Sequence, residues 1–153
     1  MMSYVQKVLQ PGEEVRYQAT IHWVTYLHGA AWLLAALVVR VVTPADWRDG
    51  YVYGGIMIAL VAAGVFFLAR AWFMAWITEI AVTNRRVIYK HGFISRTTAE
   101  MHMDKIESVD VDQSVLGRIL DYGDVMVRGT GSGLSPIRNV DAPIELRNHI
   151  TGV

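Results

Sequence analysis

The chain has 153 residues, 53% of them hydrophobic, with 14 basic against 14 acidic side chains and no cysteine. A mean hydropathy of +0.29 is too high for a small soluble domain and points to the membrane class. Zero formal net charge leaves no overall field to attract nucleic acid, so no nucleic-acid partner is expected, and without cysteine there is neither a disulfide nor a thiolate metal site.

Residues 1–21 read as an N-terminal segment on the cytoplasmic side. Met1 to Gln10 has no dense basic stretch leading into an apolar core, and Pro11-Gly12-Glu13-Glu14 interrupts the approach to the first hydrophobic block, so no cleaved signal peptide is expected. Val15, Tyr17 and Ala19 share one face if the segment is extended, and it could then lend a strand to a later sheet.

Residues 22–77 read as a transmembrane hairpin with helices at about 22–42 and 51–77. Val52 to Ala69 is an uncharged apolar run of about 18 residues, which at about 1.5 Å per residue nearly spans a hydrocarbon core of about 30 Å. Tyr51 and Tyr53 at one end, and Trp72 and Trp76 at the other, suit the two membrane interfaces, and Arg70 can snorkel from the Trp end. The turn-rich link Thr43 to Gly50 makes the helices antiparallel and puts both chain ends on one side. Lys7, Arg16, Arg70, Arg85, Arg86 and Lys90 flank that side against Arg40 and Arg48 on the other, so the positive-inside rule assigns both termini to the cytoplasm. Ala31 and Ala35 in the first helix, with Gly55, Ala59 and Ala63 in the second, have the spacing of close helix packing, inside one hairpin or between copies.

After Ile77 the period becomes twofold. Glu79 to Thr83 and Arg86 to Lys90 read as strands joined by a turn at Thr83-Asn84-Arg85, and an antiparallel meander continues through Thr98 to Met103 and Ile106 to Gln113. Ser114 caps a short helix bearing Val115, Leu116, Ile119 and Leu120, which Gly123 stops. Strands at Asp124 to Arg128 and Ile137 to Val140 follow. Asp141 then caps a terminal helix whose apolar stripe is Pro143, Leu146 and Ile150.

Val82-Thr83-Asn84-Arg85-Arg86-Val87-Ile88-Tyr89 with His91-Gly92-Phe93-Ile94-Ser95-Arg96 resembles the opening of the bacterial pleckstrin-homology-like (PH-like) domain of small membrane-flanked proteins. Ile106-Glu107-Ser108-Val109, the run Leu116 to Val125, and Pro11-Gly12-Glu13-Glu14-Val15 before His22-Trp23 are similar to that family in the same order, so the resemblance covers nearly the whole chain. It implies an α+β membrane protein in which residues 78–153 form an antiparallel half-barrel, capped by a C-terminal helix and tethered to the inner membrane by the hairpin. It implies no enzyme. Lipid recognition does not follow from the fold alone, because bacteria generally lack the phosphoinositides that such domains bind elsewhere.

Arg70, Arg85, Arg86, Lys90 and Arg96 are the candidates for a basic surface facing anionic headgroups or a partner; solvated strand faces and topology signals account for the same residues. Asp110 and Asp112 share a strand face without the partners a metal site needs, and Gly129 to Gly133 lacks the following helix of a phosphate loop, so no metal and no cofactor is expected. The five histidines form no ligand pattern, and no nucleophile elbow accompanies the serines. The expected function is a docking or scaffold module for protein or anionic membrane lipid, within a homo-oligomer or a larger membrane-protein complex. The alternative is a pore- or transport-related assembly with the PH-like unit as its cytoplasmic scaffold or gate.

Overall fold

The computed structural model describes residues 4–92, 97–130 and 133–152. In chain order its elements are α1 (Tyr4–Val8), β1 (Val15–Ala19), α2 (Leu27–Val42), α3 (Tyr51–Ile77), β2 (Glu79–Thr83), β3 (Arg86–His91), β4 (Thr97–His102), β5 (Ile106–Asp112), α4 (Val115–Leu120), β6 (Tyr122–Gly129), β7 (Ile137–Asp141) and α5 (Pro143–Thr151). They form two compact units, one of Met1–His22 with Ala75–Val153, the other of Trp23–Met74.

In the first unit the meander expected from the sequence divides. Strands β1-β2-β3-β4 make one antiparallel sheet and β5-β6-β7 a second, with a short 3-10 turn at Met103–Lys105 between them. The N-terminal segment does lend a strand: β1 pairs with β2, Ala19 opposite Ile80. Beyond Ala19 the chain crosses to the second sheet, where Ile21 bridges Val140, the His22 amide donates to the Asn139 carbonyl (2.8 Å) and the Asp141 amide donates to Thr20 (3.0 Å). The twofold alternation turns Ile80, Val82 and Val87 inward to join Val125, Val127, Ile137 and Val140, and Leu146 and Ile150 of α5 complete the same core. The opposite face of the first sheet is covered at its centre. Ala81 and Ile88 pack against Val5, Tyr4 and Val8 of α1, a helix the sequence reading left unassigned.

Two expected helix boundaries move, the end of α4 and the start of α5. The Ser114 hydroxyl accepts the Gly117 amide as predicted, but α4 ends at Asp121 in the left-handed region (φ 57), which a short polar side chain tolerates. Gly123 lies within β6 instead, where a Cβ would come 2.6 Å from the Asp112 carbonyl oxygen. Asp141 belongs to β7, and the N-cap of α5 is Ala142, also left-handed (φ 44), followed by Pro143 at the start of the helix.

Two helices are long and apolar enough to cross a membrane, Trp23–Val42 in the second unit and Tyr51–Ile77, which lies in it up to Met74. They meet at glycines that the small-residue reading passed over. A Cβ on Gly29 would fall 2.5 Å from Leu68 Cγ, and one on Gly64 would fall 2.6 Å from Leu33 Cδ2, so each glycine receives a leucine branch of the facing helix. Ala36 is buried, and Trp32 stacks on Phe67 at 6.4 Å. Of the residues chosen by spacing, Ala31, Gly55 and Ala59 are exposed, Ala35 and Ala63 half-buried, and Gly55 has open space about it. Four-residue spacing alone picks a small face; the leucine that must fill the gap decides which face is used.

Candidate functional site

The turn between β2 and β3 carries Arg85 and Arg86, two of the basic residues singled out above, and its geometry rests on one hydroxyl. Thr83 Oγ1 accepts the amides of Arg85 (3.2 Å) and Arg86 (3.0 Å) and donates to Glu13 Oε1 (2.8 Å). Asn84 ties the same turn to the Pro11–Glu14 segment: its Nδ2 donates to the Gly12 carbonyl (3.2 Å), and its Oδ1 accepts the Glu14 amide (3.1 Å). Two stretches some 70 residues apart in sequence are thereby locked together.

Arg86 closes this lock from inside. Its Nε and Nη2 fork onto the two oxygens of the buried Glu13 carboxylate at 2.9 and 2.8 Å, Nη1 reaches Glu100 on β4 at 2.7 Å, and Nη2 also donates to the Val8 carbonyl at 2.8 Å. Burial alone would raise the Glu13 pKa. Hydrogen bonds from Arg86, the Gln10 amide and Thr83, with the charge of Arg86, outweigh it and lower the value from 4.5 to about 2. The Arg86 pKa is raised, chiefly by its hydrogen bond to Glu13. Arg86 is therefore no part of an exposed basic surface: with 7% of its area accessible and its fork occupied, it is an internal strut.

Arg85 and Lys90 do not gather. Arg85 is exposed at the tip of the turn, above Gly12, whose positive φ of 76° lets the segment bend beneath it. Lys90 lies at the opposite end of the hairpin, half-buried, with its Nζ 2.8 Å from Glu79 Oε1 and 5.4 Å from the Tyr4 ring centroid. The length of β2, about 16 Å at ~3.3 Å per residue, separates these two positions. Arg70 is exposed on α3 in the other unit, and Arg96 lies outside the described residues. What unites Arg85 and Arg86 in sequence divides them in space, because successive residues leaving a turn into a strand point to opposite faces.

Other sequence features resolve into structure. Asp110 pairs with Arg128 at 2.7 Å, and His91 Nδ1 lies 3.2 Å from Thr78 Oγ1. His22 is buried, stacked on Tyr122 at 5.2 Å and 3.7 Å from Asp141. The sequence reading missed Glu13 as the partner of Arg86, although the opposed charges of Pro11-Gly12-Glu13-Glu14 and Thr83-Asn84-Arg85-Arg86 were the available signal.

The family model of the bacterial PH domain matches residues 23–152. Nothing among curated proteins or solved structures matches the chain. The match takes in both long apolar helices, strands β2 to β7 and the C-terminal helix, with β1 lying before it.

Proposed function

The chain belongs to the bacterial PH domain family, and we propose that it is a non-enzymatic docking module anchored in the bacterial cytoplasmic membrane. In this reading α2 and α3 cross the bilayer as a hairpin, both termini are cytoplasmic, and the PH-like unit offers a binding surface within a homo-oligomer or larger membrane complex. The observation that carries it is where the apolar helices enter the fold. They are inserted between β1 and β2, two hydrogen-bonded neighbours in one sheet, with only residues 20–22 and Thr78 as connections. Their outward side chains, such as Leu34 and Ile58, are 60% and 72% exposed, and each would gain about 1.5–3 kcal/mol from apolar surroundings. A unit held by two short tethers stays at the membrane, so a weak contact there gains from high effective concentration.

The turn at Arg85 suits a protein partner better than headgroups, because it presents a single exposed cation: Arg86 is spent on Glu13, and Lys90 pairs with Glu79 at the other end of the hairpin. The test is native mass spectrometry of the full-length protein extracted with its lipids, comparing wild type with Arg85→Ala and leaving Arg86 in place. A defined oligomer whose retained anionic lipid is the same in both forms supports the reading. A monomer removes the oligomer, and loss of anionic lipid in Arg85→Ala returns the turn to headgroup binding.

A further inference from the structure

Helix α4 is built as a rigid support for side chains that the fold itself does not use. Its backbone is held on three sides: the Ser114 cap accepts the Gly117 amide (3.0 Å), Gln113 Nε2 donates to the carbonyls of Gly117 (3.3 Å) and Tyr122 (3.1 Å), and Asp121 closes the end. Gly117 is the buried residue of the helix, where a Cβ would come 2.6 Å from the Tyr122 carbonyl oxygen. The four apolar side chains all face water: Val115, Leu116, Ile119 and Leu120 are exposed, Val115 and Ile119 by about three quarters (76% and 73%). At 100° per residue they form one stripe turned away from Gly117. The hydrogen bond from the Ala142 amide to the Asp121 carbonyl (3.0 Å) brings the first turn of α5 beside it, and there Ile144 is exposed as well.

The border of this stripe is acidic. Asp112 precedes the helix and Asp121 ends it, Asp141 pairs in register with Tyr122, and Glu145 lies in the first turn of α5; all four are exposed. Tyr17 lies near three of the four: its hydroxyl pKa is raised by burial and then by the charges of Glu145, Asp141 and Asp121. Within α4 the single opposing charge is Arg118.

We infer that α4 is a docking knob for a second protein, which receives Val115, Leu116, Ile119 and Leu120 in an apolar groove bordered by lysine or arginine. The inference rests on the docking reading above and adds the surface and the partner's chemistry. An anionic membrane surface would meet four carboxylates beside the apolar stripe, and a second copy docking face to face would bring two such borders together. Stable interfaces use about 20–30 residues a side, so five side chains are too few for a flat dimer contact; they suit insertion into a concave site. The preset backbone lowers the ordering cost of that insertion.

The experiment is photocrosslinking of the full-length protein in its native membranes, with p-benzoylphenylalanine in place of Ile119 and, in a parallel sample, of Arg85. The expected result at position 119 is a product with one other protein, joined at an apolar groove flanked by Lys or Arg. That product should be lost in Leu116→Ser and in Asp112→Lys backgrounds, both at exposed positions, with circular dichroism of each variant matching wild type. Attachment to lipid, attachment to another copy of this chain, or a product indifferent to Asp112→Lys overturns the inference. A product at position 85 with none at 119 overturns it while leaving the docking reading standing; no product at either position overturns both.

Discussion

Arg86 and Glu13 meet as a two-pronged ion pair, Nε to Oε1 at 2.9 Å and Nη2 to Oε2 at 2.8 Å, across 73 residues of sequence that include both long apolar helices. The pair holds the N-terminal segment on the sheet that forms after those helices. Removing one partner strands the other charge in a buried site, which costs about 3–5 kcal/mol. Arg86→Ala is therefore expected to lower the stability of the PH-like unit by that order, while Arg85→Ala, one residue away and exposed, changes it by no more than about 0.5 kcal/mol. Hydrogen exchange of the β2 and β3 amides in the detergent-solubilised protein distinguishes the two; equal effects would contradict the burial of Arg86.

The same pair sets an acid limit. Glu13 has a folded pKa of about 2 against 4.5 for an unperturbed carboxyl, so its ionised form favours the folded state. That contribution is fully present above pH 4.5 and declines as pH falls toward 2. In Glu13→Gln the acid-side loss should be shallower, because the proton-linked part is gone, while stability at pH 7 is lower from the start. Acid titration of unfolding, followed by the same exchange measurement, tests this; parallel acid profiles for the two forms would exclude Glu13 as the titrating group.

Periodicity and composition made the local elements readable. Alternation marked β2 and β3, Ser114 marked the start of α4, and the apolar run over 51–77 became a single helix, Tyr51–Ile77. What the sequence could not display were choices made between distant segments. Arg86 looked like Arg85 because a charged residue does not announce its partner, and its partner is Glu13. Gly29 and Gly64 were passed over because their role depends on Leu68 and Leu33 across the helix contact. The left-handed Asp121 and Ala142 escaped because Gly123 and Asp141 were stronger local signals for the end of α4 and the start of α5, and tertiary hydrogen bonds, such as that from Ala142 to Asp121, outweighed them.

The glycine contact gives a prediction within the helical unit. Gly64→Val and Gly29→Val each force a side chain into space held by a leucine of the facing helix, an overpacking cost of about 1–3 kcal/mol. Gly55→Ala, with nothing within 4 Å of its added Cβ, should be neutral or slightly stabilising. Thermal unfolding in a mild detergent orders the variants. A larger loss at Gly55 than at Gly64 would move the contact to the face first suggested by spacing.

The hairpin topology can be tested without removing any native thiol, since the chain has no cysteine. Asp49 lies in the short connection between α2 and α3, and Glu107 is an exposed position of β5 in the PH-like unit. With both termini cytoplasmic, Asp49→Cys in intact cells should react with a membrane-impermeant maleimide, whereas Glu107→Cys should react only after the cells are broken. The positive-inside asymmetry behind this orientation is modest, Arg40 and Arg48 on the loop side against Lys7, Arg16, Arg70, Arg85, Arg86 and Lys90 on the other. Arg86 carries its charge into an ion pair with Glu13, so part of that balance is neutralised once the unit has folded. Orientation would then be decided during insertion, before the pair forms, and Arg86→Gln should weaken folding without inverting the labelling pattern. Reaction at Glu107→Cys but not at Asp49→Cys in intact cells would reverse the topology; reaction at neither before lysis would remove the crossing altogether.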